Sequence, residues 1–296
     1  MKTRIFAFLG FRSWRFPQAQ EFFRSIGRND LAESAELPAY LYTFQFDSEA
    51  DYLAFRAEAA AFGFADDDFS VRKEFLYTPS ELEAGPLLRM MVDRAPKGLG
   101  GPTYGTEYDL ANACPVCGTG AVQTSPLYLR GGDPPKTADI FKTLDNDVLV
   151  SPKVAEAFLR EQVTGAELRQ AIGHKDREPL PWFQLVCTHE LPRMSGLSKL
   201  SRDDPCRLCS RDGYYDLGRE PSRIVYDASQ VNLDELPDFS CTWERVGKSV
   251  LREPFKKSHL ASPLLVVKPR VYKIFRQLKV RGAVFEPVHV VERAPP

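Results

Sequence analysis

Four of the six cysteines in this chain of 296 residues fall into two pairs of identical spacing, Cys114-Pro115-Val116-Cys117 and Cys206-Arg207-Leu208-Cys209. Two intervening residues let both thiolates of a pair reach one metal ion from a single tight turn. The first pair continues as Gly118-Thr119-Gly120 and the second as Ser210-Arg211-Asp212-Gly213. A glycine after the second cysteine frees the backbone to curl, so that its N–H groups can donate to sulfur. Two such knuckles complete a tetrahedral shell, and Cys114, Cys117, Cys206 and Cys209 are the predicted ligands of one structural Zn2+ ion. A closed shell of this kind staples a fold and activates no water. The 88 residues between Cys117 and Cys206 far exceed the roughly 15–20 of a compact zinc ribbon. The knuckles must therefore meet in space across an inserted domain. Free thiols and dithiol redox chemistry are the competing readings. A thioredoxin-like pair would need a helix N-terminus after a strand, which these Gly/Pro-rich flanks do not supply.

The other reactive side chains form no comparable pattern. Cys187 and His189 stand two apart, which puts both on one face of a short strand, and Cys241 precedes Thr242-Trp243. Buried strand cysteines account for these as well as ligands do. His174, His189, His259 and His289 share no recurring partner spacing. Asp66-Asp67-Asp68 could face a cation, but no further ligand pattern surrounds them, and a solvated loop is expected. No GxxxxGK[ST], GxGxxG after a strand, GxSxG or HExxH occurs, so the sequence predicts no catalytic residue and no enzyme. Lys248, Arg252, Lys256, Lys257, Lys268, Arg270, Lys273, Arg276, Lys279 and Arg281 form the one nucleic-acid footprint. A solvated cationic helix face explains them equally.

The elements that must position these residues follow from composition and periodicity. Apolar residues make up 43% and charged residues 27%, with a formal net charge of −1, which suits a globular protein and argues against general polyanion binding. No stretch approaches the roughly 18–20 apolar residues of a membrane span. Six cysteines are too few for a secreted disulfide scaffold, so a cytoplasmic protein is expected.

Residues 1–110 carry 12 Lys or Arg against 17 Asp or Glu, whereas residues 242–296 carry 12 against 4. Residues 1–110 read as an acidic α+β domain. Tyr42–Phe46 alternates like a strand, Ser48 and Asp51 offer a capping box, a helix runs to about Phe62, and Phe69–Tyr77 suggests a second strand. Pro96–Pro102 reads as the linker to a mixed α/β region at 111–296. That region repeats itself at an offset of 117. Val150/Val267, Pro152/Pro269, Val154/Val271, Phe158/Phe275, Val163/Val280, Gly165/Gly282 and Ala166/Ala283 are identical. Each copy, about 148–168 and 265–285, predicts a β-α-β element: an apolar strand, proline at the first helical position, a helix of about ten residues, and a turning glycine.

The paired knuckles, with Cys206–Tyr214, Asp238-Phe239, Thr242-Trp243-Glu244 and the ending Pro263–Val267 and Val280–Val288, resemble the double-CXXCG motif family of myxobacteria and related bacteria. The resemblance spans roughly residues 110–292, and Ser210 departs from its second motif glycine. It implies a cytoplasmic immunity protein that binds and neutralises a kin-delivered toxin, with zinc purely structural. The acidic front would suit a basic toxin and the basic tail an acidic one. A nucleic-acid-binding zinc-ribbon protein is the alternative.

Overall fold

A computed structural model describes residues 2–10, 15–33, 41–93, 95, 100–130, 137–215, 223–249 and 260–292. The protein is mixed α+β, and its chain divides into two compact units, the first ending at Thr78 and the second beginning at Pro79. No helix is long and apolar enough to cross a membrane among the described residues.

The first unit runs β1 (Lys2–Gly10), α1 (Phe16–Ser25), α2 (Asn29–Ala32), β2 (Leu41–Phe46), α3 (Glu49–Ala61) and β3 (Phe69–Leu76). Its sheet has the order β2-β1-β3, with β1 antiparallel to both neighbours. Helix α3 starts where the capping pattern places it: the Ser48 side chain accepts from Asp51 N at 3.1 Å. It stops at Gly63, whose φ of +77° suits the left-handed turn. Phe22, Phe23, Phe44 and Phe55 are buried at the centre. The three aspartates form a short 3-10 turn after this helix. Arg15 binds both oxygens of Asp68 at 2.8 Å, and Arg56 pairs with Asp66. Two of the three carboxylates are thus already paired with guanidinium groups.

The second unit holds α4 (Pro79–Ala84), β4 (Leu87–Val92), β5 (Tyr108–Asp109), β6 (Val122–Gln123), β7 (Tyr128–Leu129), β8 (Ile140–Lys142), β9 (Val148–Val150), α5 (Pro152–Arg160) and β10 (Ala166–Gly173). Then follow β11 (Pro179–Cys187), β12 (Ser201–Arg202), β13 (Tyr214–Tyr215), β14 (Val225–Asp227), β15 (Phe239–Val246), β16 (Ser262–Val267), α6 (Pro269–Leu278) and β17 (Ala283–Val291). The two sequence repeats are β9-α5-β10 and β16-α6-β17, each helix opening on its proline.

The repetition extends well beyond those segments. One sheet has the order β7-β10-β11-β9-β8 and the other β14-β17-β4-β16-β15. The β7/β10 and β14/β17 pairs are parallel and every other pair in these two sheets is antiparallel. In chain order each half is a strand, a short hairpin, three strands, a helix and a strand: β4 to β10, then β11 to β17. The first strand of each half sits at the centre of the sheet built by the other. Registers confirm the correspondence. Val150 pairs with Phe183 and Val267 with Leu88, while Ala166 pairs with Cys187 and Ala283 with Val92. The sequence places the acidic domain's end at 110, but the observed division lies at 78/79. The reason is β4, a nearly uninterrupted buried apolar strand of the kind a sheet centre demands.

The seam between the halves is reciprocal. Asp139 O accepts from Ser151 N at 2.8 Å, and its carboxylate accepts from Arg281 N at 3.0 Å. Asp238 O accepts from Lys268 N at 2.9 Å, and its carboxylate accepts from Thr164 N at 3.0 Å. Lys153 and Arg270, equivalent in the repeat, pair with Asp139 and Asp238 at 2.7 and 3.1 Å. The repeat-related rings of Phe158 and Phe275 stack on one another at 5.9 Å.

Candidate metal centre

The two CxxC pairs ride on the two short hairpins, Cys114 and Cys117 between β5 and β6, Cys206 and Cys209 between β12 and β13. Each knuckle closes through a turn in which the residue after the second cysteine donates back to the first: Gly118 N to Cys114 O at 2.7 Å, Ser210 N to Cys206 O at 2.9 Å. That residue is left-handed in both, with φ of +70° at Gly118 and +59° at Ser210. Ser210 therefore adopts the motif glycine's conformation despite its side chain, at a modest cost in backbone strain. Cys206 N donates to the buried Asp212 carboxylate at 2.6 Å, whereas Cys114 N uses Thr119 O at 2.8 Å.

Each hairpin is tied to a sheet. Gln123 of β6 exchanges two side-chain hydrogen bonds with Gln184 of β11, at 2.8 and 3.0 Å, and Gln184 also donates to Asp147 at 3.2 Å. The second hairpin is held by backbone bonds from Gly247 N to Tyr214 O and from Gly213 N to Gly247 O, both 2.9 Å, and by Arg211, which donates to Trp243 O at 3.0 Å.

These supports bring the four predicted ligands together from opposite halves of the repeat. Cys114 Sγ lies 3.7 Å from Cys206 Sγ and Cys117 Sγ lies 3.4 Å from Cys209 Sγ, and all four sulfurs fall within 4.8 Å of one another. A tetrahedron with metal–sulfur bonds of about 2.3 Å has edges of about 3.8 Å, so the cluster is sized for one metal ion. Burial pushes the Cys117 thiol up and raises Cys209 to about 12. Against the burial of Cys206, backbone N–H groups of Cys209 and Leu208 hold it at about 7. A cluster of thiols that cannot all ionise unaided is one that a cation would neutralise.

The remaining candidates lie elsewhere. Cys187 ends β11 and Cys241 lies in β15; Cys187 Sγ donates to His189 O at 3.4 Å, and Cys241 N donates to the same oxygen at 2.8 Å. The neighbouring Cys241 and burial push Cys187 up, while Cys187 and then Arg245 hold Cys241 down. His189 contacts Ser240 and His174 contacts Tyr104 O, and His259 lies outside the described residues. On α6 and just beyond, Arg270, Arg276 and Arg281 meet Asp238, Glu83 and Asp139, leaving Lys273 and Lys279 on the exposed side. Arg252, Lys256 and Lys257 lie outside the described residues.

Two features had no sequence signal of their own. One is the Gln123–Gln184–Asp147 network, drawn from three separate elements. The other is a cluster around Trp243, in which Arg193 and Arg211 lie over the indole at 4.1 and 4.9 Å and Arg211 and Arg245 share Glu190. No protein-family model matches the chain, and no curated protein matches it.

Proposed function

We propose that this chain is a cytoplasmic, zinc-stapled binding protein that neutralises a cognate antibacterial toxin by forming a stoichiometric complex. The observation that supports this reading is the convergence of both distant knuckles on one four-thiol cluster. The four cysteines of the two motifs that enter the resemblance to the double-CXXCG immunity family thereby meet at one site. Four thiolates take all four positions of a tetrahedral ion, so the site is suited to stapling rather than to chemistry on a substrate. Zinc is the proposed metal, since soft thiolates in tetrahedral array favour it. The nucleic-acid reading through α6 has less to draw on, because Arg270 and Arg276 are already engaged by carboxylates.

Inducible expression of the open reading frame next to this gene, with and without this protein, tests the reading. Expected are growth rescue and a one-to-one complex carrying one equivalent of zinc. A neighbour that is harmless, or toxic and not rescued, overturns it.

A further inference from the structure

The two halves of the second unit share one architecture, so each knuckle serves as a control for the other. Between Gly101 and Leu129, around the first, there is no lysine or arginine at all, and Glu107 and Asp109 are the only charged residues. Around the second, Arg202, Arg207 and Arg211 lie on the hairpin, Arg245 on β15 that supports it, Lys248 just past that strand, and Arg193 on the segment between β11 and β12. The first hairpin stands with no cation of its own, Arg177 lying over Tyr128 from outside it, so the exposed Arg193 and Arg207, unlike Arg211 with its bond to Trp243 O, are not needed to hold up the knuckle.

Their arrangement has a specific chemistry. Arg193 and Arg211 lie over Trp243, and Arg202 lies over Tyr214 at 5.2 Å while donating to Ser210 O. Arg207 and Leu208, between the two ligand cysteines, are both exposed, Leu208 by 61%. Glu190 is shared by Arg211 and Arg245, and Asp204 pairs with Lys248. Asp203 is the other exposed carboxylate on the hairpin. Arginine together with tryptophan and tyrosine is the composition enriched in interface hot spots. Guanidinium groups lie over the rings of Trp243 and Tyr214, so the rings are not bare, which favours forked bonds to carboxylates over stacking of bases.

We infer that the face built by the second knuckle and Trp243 is a docking surface for an acidic protein. It rests on the binding-protein reading only for the partner's identity, which would be the toxin. Guanidinium forks at Arg193 and Arg207 capture carboxylates, and the exposed Leu208 adds an apolar contact.

Fluorescence anisotropy with the full chain tests this, using labelled poly-L-glutamate and labelled (dT)20 as probes at 50 and 300 mM NaCl. Poly-L-glutamate should bind more tightly than (dT)20. The double variant Arg193→Glu/Arg207→Glu should lose at least about tenfold of that affinity, and Lys273→Glu/Lys279→Glu on α6 should lose less than about twofold. Both positions of the first variant are exposed, and its metal content reports correct folding. The milder Arg193→Ala/Arg207→Ala should lose about threefold and keeps the test alive if charge reversal unfolds the protein. Equal losses in the two surfaces, or no binding at 50 mM NaCl, overturn the inference. Tighter binding of (dT)20, lost in the Arg193/Arg207 variant, overturns it in favour of a nucleic-acid face. Failure of growth rescue with poly-L-glutamate binding intact would sink the toxin reading and leave this face standing.

Discussion

At the scale of single residues, local spacing decides what a sequence reveals. The four thiols were legible because each pair is a property of one turn, and two turns of the same kind imply one ion. Asp147 was not, because its environment combines Thr143 and Asp145 of its own β8–β9 turn with Gln184 of the distant β11. Burial and the nearby Asp145 push its carboxyl up to about 7, against hydrogen bonds from Thr143 and Gln184 that favour the anion. An unfolded aspartate titrates near 3.8, so the native state holds the proton more tightly. The stabilisation from this group is fully present below about pH 4 and is lost as pH rises through about 7. Asp147→Asn should therefore match the wild type in stability near pH 4 and exceed it by about 1–3 kcal/mol at pH 8. Urea midpoints of both proteins at pH 4, 6 and 8 check this, since the thiol cluster's own pH dependence is common to both. A constant difference across the three would show that Asp147 is ionised throughout.

At the scale of elements, the repeat was legible as two β-α-β segments because proline, aromatic and glycine positions recur at one offset. Their partners were not. The strand Leu87–Val92 and the strand Pro179–Cys187 share a place in the fold but almost no residues, since a sheet centre asks only for apolar side chains of suitable size. The turning glycines do more than let the chain turn. Gly165 has φ +79°, and a Cβ there would collide with the carbonyl of Phe239; Gly282 has φ +106°, and a Cβ would collide with the carbonyl of Ile140. Each glycine thus lets one half's helix-to-strand turn lie directly on the edge strand of the other half. Gly165→Ala and Gly282→Ala should each destabilise the protein by about 3 kcal/mol or more, from backbone strain and displaced strands together. Gly247→Ala is the control: its φ is +88° but nothing lies within 4 Å of an added Cβ. It should cost only about 1 kcal/mol. Chemical denaturation of the three variants separates the two effects, and equal losses would remove the close approach from the explanation.

At the scale of the whole second unit, two predicted features become one. The knuckles are 88 residues apart because each belongs to its own half, and the four-thiol cluster is where the halves join. Exchange of β4 and β11 makes the joining obligatory, since neither five-stranded sheet has its centre without the other half. Sequence alone hid this because exchanged strands leave the order of elements unchanged. The interdependence can be measured by dividing the chain in the β10–β11 turn, between Lys175 and Asp176. Fragments 1–175 and 176–296 each lack a central strand for one sheet and two of the four thiols. Neither should fold its portion of the second unit or retain stoichiometric zinc when produced alone. Mixed during refolding with zinc, they should form a one-to-one complex with one ion per pair, because the β10–β11 connection supplies none of the seam contacts at Asp139, Asp238, Phe158 and Phe275. Chelation should then release the fragments more readily than it unfolds the intact chain, in which the covalent link keeps the halves at high effective concentration. A fragment that folds by itself, with native-like β content and a full equivalent of zinc, would mean that each half can complete its own sheet. The reciprocal seam would then stabilise the pair without being required for it.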